Sequence, residues 1–533
     1  MSGEEDFDDL TSFLGDFGPF QILMIVLLSL CTSPCGYMGT MVVFVSDTPE
    51  HHCKVAINSS RLGPDSCSRY KANGSWTETV GLSNDTEQCL DGWVFSTEIH
   101  TIVSEWDLVC DNAWKVPFST SLYFVGVLIG SLISGHPSDR FGRKKVFFFI
   151  LIIQAVTALI QAASVSWAMF CVLNALRGLG QVSSYIVTLV LGSELLSKSS
   201  RVSYTLLGHS VGFGIGYILL PLCAYFIRGW RMLLVASAIP SILFIPLWWV
   251  IPESPRWLLQ KGRVEEAELV IRNAAKWNRV PTPAVIFRTS ECLELVQNNV
   301  EEERIYTYMD LIRTLNMRNI IMLGVFLWTC TSMIYYGLSL NTSNLNGNAY
   351  LNCFISAAID IVAYVATWLL VGTVPRPTLL FCTLMLCGVT LLVLQLVPED
   401  MDVMFQVFAL VGKMGVSGAY SFIYVIFTEL IPTVVRNMGL GITSTAGRIG
   451  SIICPYVIYL GVYSKSLPYI VFGTISIMAA AIGMLLPDTR NCKLPDLISQ
   501  AKPIRGCCCP KETAEEQPDA TQACKEMIKS AFC

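Results

Sequence analysis

The sequence predicts an all-α membrane protein with twelve transmembrane helices in two six-helix halves. Three observations carry this. Of the 533 residues, 53% are hydrophobic and only 14% charged, where a soluble domain carries about 25% charged residues. A hydrocarbon core of about 30 Å needs about 20 apolar residues per helix, and runs of that length recur near 20–45, 116–135, 146–165, 167–191, 204–226, 231–251, 319–340, 350–373, 377–397, 402–427, 438–462 and 468–487. Two long polar segments, 47–115 and 252–318, follow the first and sixth runs, so an odd and an even crossing place them on opposite sides.

The elements follow in order. Residues 1–19, beginning MSGEEDFDDL, are acidic where a cleavable signal is basic, so a cytosolic N-terminus and a retained first span at 20–45 are expected. Residues 46–115 form a loop with three sequons, opened by Asn58, Asn73 and Asn84, and four cysteines, Cys53, Cys67, Cys89 and Cys110. Sequons and an even cysteine count in one loop point to an oxidising, glycosylating face. Two disulfides are expected, and three connectivities stay open. Residues 116–251 hold spans two to six. The short loops DRFGRKK (139–145) and SKSSR (197–201) are basic, as is the RNM before the eleventh span, which makes that side cytosolic. Residues 252–318 read as a cytosolic loop with amphipathic, solvated helices, RVEEAELVIRNAAKWN among them. Residues 319–487 hold spans seven to twelve, and 488–533 form a cytosolic tail. Its CCCP cluster (507–509) is open to palmitoylation or to ordinary reduced thiols.

One residue breaks the apolar pattern. Arg448 sits inside the run 438–463, where a charge costs roughly 2.5–3.5 kcal/mol even on the lenient insertion scale. A guanidinium in mid-span presents forked donors that suit a carboxylate. Asp360 in the eighth span is a second buried charge, placed either near a substrate cation or against Arg448. Quaternary ammonium groups are held by aromatic faces at about 0.5–2 kcal/mol per contact. Trp328, Tyr335, Tyr420 and Tyr424 are spaced along spans seven and ten as candidates.

Several motifs resemble one family. GHPSDRFGRKK between spans two and three is similar to the signature loop of the major facilitator superfamily, and PESPRWLLQKGR (252–263) follows span six as in its sugar-porter and organic-ion branches. CLDGWVFS, EWDLVC, YFIRGWRMLL, LNCFISA and ELIPTVVRNMG resemble the organic cation/carnitine transporters, of carnitine/ergothioneine type. The resemblance covers about Phe13 to Pro487 and implies two halves rocking around a midplane site. It assigns Asp139, Arg140, Gly142 and Arg143 to a conformational gate, the carboxylate contact to Arg448, and an ammonium contact to Tyr185 beside Gln181. It places Gln154, Gln181 and Glu429 at polar positions suited to a coupling sodium ion. Pro137 stands where the family loop carries leucine. Cys35 and Ser184 replace asparagines, and hard cations prefer oxygen, so sodium is expected only as a possible co-transported ion; no cofactor is expected.

The expected function is plasma-membrane transport of a small zwitterion or organic cation by alternating access, with both termini cytosolic. A sodium-independent polyspecific organic cation carrier is the second reading, and a non-transporting surface receptor or scaffold the third. No nucleophile–base set, metal cluster or nucleic-acid patch is present in the sequence. The string GSELLSKS (192–199) lacks the glycine before lysine that a phosphate loop needs, so neither an enzyme nor a nucleotide site is expected.

Overall fold

The computed structural model describes residues 10–54, 66–70, 86–89, 91–283, 286–287, 308–345, 347–398 and 401–489, with four positions (495, 498, 501, 504) of the tail. The sequons at Asn58, Asn73 and Asn84 and the cysteines at 507–509 lie outside the described residues.

Twelve helices form the bundle. They are α1 (Pro19–Val45), α2 (Lys115–Ile133), α3 (Arg143–Ala162), α4 (Trp167–Leu195), α5 (198–226), α6 (Trp230–Trp249), α7 (Leu315–Leu340), α8 (Ala349–Leu370), α9 (Arg376–Val393), α10 (Asp402–Leu430), α11 (Arg436–Tyr459) and α12 (Leu467–Gly483). Ten of these segments are long and apolar enough to cross a bilayer. The others are α4, long but more polar because Asn174, Arg177 and Gln181 lie inside it, and α12, apolar but only 17 residues. Large apolar side chains such as Leu132, Phe149, Val172, Phe226 and Leu243 point outward, as a lipid-facing surface requires. Helix α1 breaks at Thr32 and Met41, the first break lying just before Pro34, which has no N–H to continue the ladder.

Small residues set the close packing. Gly208, Gly212 and Gly216 form a stripe on α5, and a Cβ on Gly212 would lie 1.9 Å from the Ser29 carbonyl of α1. A Cβ on Gly126 of α2 would lie 1.8 Å from the Ala175 carbonyl of α4, and one on Gly450 of α11 would lie 2.2 Å from that of Thr329 on α7. Helix association in lipid depends on such backbone approach. The pairs repeat between halves: α1 with α5 and α7 with α11, then α2 with α4 and α8 with α10. The halves meet through α2 against α11 and α5 against α8.

The loop between α1 and α2 carries two antiparallel strand pairs, His51–Cys53 with Trp93–Phe95 and Ser68–Tyr70 with Thr86–Gln88. Its disulfides join Cys53 to Cys89 and Cys67 to Cys110, choosing one of the three connectivities. Glu105 receives the Trp230 indole N–H at 2.7 Å and pairs with Arg231, which ties EWDLVC to RGWRMLL and anchors the loop on α6.

On the opposite face the helices Pro255–Gln260 and Val264–Asn278 follow α6. They are docked rather than freely solvated. Trp257, Ala267 and Ile271 pack with Phe13 and Leu14 ahead of α1, and Asn278 Oδ1 accepts the Phe20 amide at 2.9 Å.

Candidate functional site

Arg448 lies midway along α11 and is partly buried. Its Nη1 donates to the Tyr420 hydroxyl at 3.4 Å, and its Nε has no partner among the described residues. Tyr420 stacks on Tyr335, centroids 4.4 Å apart and planes 11° from parallel. Trp328 lies edge-on to Tyr424 at 4.9 Å and to Tyr420 at 6.1 Å, and its indole N–H is also unpartnered. Four of the predicted aromatics therefore share one wall with Arg448. Tyr336, which the sequence reading passed over, joins them 6.2 Å from Tyr420 and 4.9 Å from Phe124 of α2.

Asp360 belongs to this wall but does not balance Arg448. Its carboxylate lies 3.3 Å from the Lys413 ammonium on α10, accepts the Tyr335 hydroxyl at 3.0 Å and accepts that of Ser417. Lys413 also donates to Ser339 and sits 3.7 Å from the Tyr335 ring centroid. Both partners are almost fully buried, at 1% and 2% exposure. Lys413 was missed because its long span stays apolar around one lysine; the signal that singles out Arg448 applies to it equally. The two cations have opposite surroundings: Lys413 has an acid and a full set of acceptors, and Arg448 has a tyrosine hydroxyl.

The facing wall comes from the first half. Tyr185 on α4 is within electrostatic reach of Tyr420, Tyr424 and Arg448. Gln181, one turn earlier, donates to the Cys35 carbonyl at 3.3 Å, while the Cys35 thiol donates to the Gln181 carbonyl at 3.4 Å. Gln154 on α3 donates to Met38 Sδ at 2.8 Å and its side-chain oxygen has no partner among the described residues, while the buried Ser184 hydroxyl lies beside the Cys35 thiol. Arg177 is a further buried cation the sequence reading did not use; it donates to Asn174 Oδ1 at 2.7 Å and sits 5.3 Å from the Tyr123 ring.

Glu429 does not meet Gln154 or Gln181. It sits at the end of α10, where Arg376 donates to both its oxygens at 3.0 and 2.9 Å and Thr489 donates a hydroxyl. Arg143 makes the same fork with Glu194 at the end of α4, at 3.0 and 3.1 Å, and pairs with Asp139 at 2.9 Å. Gly142 adopts φ +106°, and a Cβ there would lie 2.5 Å from a Glu253 carboxylate oxygen. Arg140 is exposed, over the Phe141 ring. These contacts stay inside one half. Two bonds that cross between halves lie towards the disulfide-bonded loop: Ser121 donates to the Ile452 carbonyl at 2.8 Å, and the Tyr217 hydroxyl donates to the Ser339 carbonyl at 3.3 Å. Phe44 of α1 stacks on Tyr350 of α8 at 5.3 Å on the same side.

The sugar (and other) transporter family matches residues 69–499. Across 530 residues the chain is 45% identical to organic cation/carnitine transporter 2 of Rattus norvegicus, covering 94% of this chain and 95% of that one. The chain belongs to this family, in its organic cation/carnitine transporter branch. Solute carrier family 22 member 4 of Mus musculus is 44% identical, covering 96% and 98%. Among solved structures, the inward-open xylose transporter XylE from E. coli superimposes with a TM-score of 0.65 at 15% identity, over 90% of this chain and all of that one. That likeness shows the major facilitator fold, and the family is one of membrane transporters rather than enzymes.

Proposed function

We propose that this chain carries small zwitterions bearing a quaternary ammonium and a carboxylate, such as carnitine or ergothioneine, across the plasma membrane by alternating access. One observation carries the reading: Arg448 stands in mid-span with an unpartnered Nε, framed by tyrosines and without an acid against it among the described residues. A buried guanidinium in that state is an electrostatic half-site for an anion. The π faces of Tyr185, Tyr420, Tyr424 and Trp328 suit the cationic end of the same molecule. Tyr335 is stacked and bonded and serves to connect Arg448 with the Asp360–Lys413 pair; Asp360, already neutralised, acts on the site through Tyr335. The names of the relatives agree with this substrate class.

Alternating access suits the arrangement of bonds. The Arg143–Glu194 and Arg376–Glu429 forks each tie one half together, so that Asp139, Arg140, Gly142 and Arg143 brace a rigid body that rocks. The basic face, with both termini, is assigned to the cytosol, and the disulfide-bonded loop to the exterior.

The test is radiolabelled L-carnitine and ergothioneine uptake in cells expressing the full chain, with sodium present and replaced. Saturable uptake of either, abolished in Arg448→Ala at normal surface level, is expected. Unchanged uptake in Arg448→Ala sinks the carboxylate assignment. The second reading, sodium-independent carriage, is favoured by two placements: Glu429 is fully engaged by Arg376 and Thr489, and Cys35 presents sulfur beside Gln181. Of the predicted ion-coupling residues, Gln154 keeps a side-chain oxygen without a partner among the described residues. Uptake that persists in sodium-free medium establishes it.

A further inference from the structure

Of the five histidines, His209 alone lies inside a membrane helix, on α5. It is 1% exposed, and neither ring nitrogen has a partner among the described residues. Buried polar groups are nearly always hydrogen-bonded, and an orphan calls for an explanation. The backbone around it is unusual as well. Tyr204–Gly208, just before His209, forms a π-helical turn, a feature that resets the phase of the helix and recurs at functional sites. The glycine stripe Gly208, Gly212 and Gly216 then seats α5 against α1, and the Thr32 hydroxyl reaches the His209 carbonyl at 3.4 Å. The helix is fixed on that side, so the ring is held where it is.

It is held against the substrate wall. The imidazole centroid lies 4.1 Å from that of Tyr185 and 5.8 Å from that of Tyr204, with Phe213 6.2 Å from Tyr185 on the next turn. Tyr204 bonds away, to the Thr188 carbonyl at 3.0 Å. Among the described residues no acid or base acts on the ring; the acid of the neighbouring helix α8, Asp360, is committed to Lys413, Tyr335 and Ser417. An imidazole offers one donor and one acceptor. A quaternary ammonium has neither, and the carboxylate is matched to Arg448. A hydroxyl matches both nitrogens' capacities.

We propose that His209 is a substrate-contacting residue that hydrogen-bonds an uncharged hydroxyl of the zwitterion next to its ammonium, and so selects hydroxylated over deoxy substrates. This rests on the zwitterion reading above and deepens it. A site built around a substrate hydroxyl rejects the analogue lacking it, because its own polar groups are then left unpaired.

The experiment compares uptake of L-carnitine with that of its deoxy analogue γ-butyrobetaine, which keeps both charged ends. Cells expressing the full wild-type chain are expected to favour L-carnitine at least tenfold in Vmax/KM. His209→Phe keeps a ring beside Tyr185 and removes the hydrogen bond, so it should lower L-carnitine at least tenfold more than γ-butyrobetaine. His209→Gln, which retains a donor and an acceptor, should restore at least threefold of the preference. Should His209→Phe fail to reach the surface, His209→Leu, which fills the site without a donor or acceptor, is read in its place. Wild-type uptake without preference, or a preference unchanged in the variants, overturns this inference alone. Ergothioneine, a zwitterion without a hydroxyl, is the control: its uptake without that of either compound overturns this inference alone, and uptake of none of the three by the wild type overturns the zwitterion reading and this inference with it.

Discussion

The two halves carry the same clamp on their basic face, built from different residues. In the first, Arg143 forks onto Glu194, reaches the Ser138 carbonyl five residues back, and the next amide, Lys144, donates to Glu253 at 3.0 Å. In the second, Arg376 forks onto Glu429, reaches the Val371 carbonyl five residues back, and its own amide donates to Asp488 at 3.2 Å. Arg201 and Arg436, each seven residues past the glutamate, both bond the carbonyl five residues before themselves. What is repeated is the joining of three points: the start of the third or ninth helix, the end of the fourth or tenth, and the exit of the sixth or twelfth. A half tied at those points moves as one body. What is not repeated is local: the first half adds Asp139 and the positive-φ Gly142, where the second has Gly372 and Pro375.

The membrane interior shows the opposite pattern. The second half holds the buried Asp360–Lys413 pair and Arg448, while the first holds Arg177 against a neutral asparagine and the unpartnered His209. The architecture and its clamp repeat between the halves, and the charged groups inside do not.

The largest expected effect tests the interior difference. Asp360→Asn leaves Lys413 buried without its acid, and breaking such a pair costs about 3–5 kcal/mol; thermal unfolding of the purified transporter should show a marked fall, which Lys413→Met added to Asp360→Asn largely reverses. If the single variant melts like the wild type, the pair is not what stabilises that half. Arg448→Ala comes next, and should reduce uptake of carboxylated substrates by about 2–4 kcal/mol of transport efficiency, on the scale for truncating one side of a buried charged contact. Its melting temperature should move little, because Arg448 has no acid to strand. Glu194→Gln and Glu429→Gln test the clamp itself. Each weakens a fork of charge-assisted hydrogen bonds worth about 1.5–3 kcal/mol, and the two losses of thermal stability should match. A clear inequality would show that the clamps are alike in geometry only. Asp139→Asn is the smallest: its side chain is 72% exposed, and exposed ion pairs contribute under about 1 kcal/mol, so both melting and uptake should stay near wild type.

The forks were half legible. GSELLSKSSR and FTELIPTVVR carry glutamate and arginine seven residues apart at the same place in each half. That repeat marks Glu429 as the counterpart of Glu194 rather than an ion ligand, but the arginine that occupies it lies 53 residues away in the chain. His209 offered a signal too, as a histidine in an apolar run, but nothing in the sequence shows a π-turn or an empty partner list.

By itself the sequence determined the number of spans, the opposite placement of the two polar segments, Arg448 as a charge inside an apolar run, and four of the aromatics on its wall. Bilayer thickness dictates apolar run length residue by residue, and a charge inside such a run is conspicuous without any neighbour. Tertiary structure alone decided that Lys413 and not Arg448 neutralises Asp360, that Cys53 joins Cys89, that Glu429 belongs to a clamp, and that His209 faces Tyr185. Each is a question of which helix packs on which, and at what rotation. Glycine contacts and the π-turn at Tyr204–Gly208 set that rotation, through approaches between residues far apart in the chain.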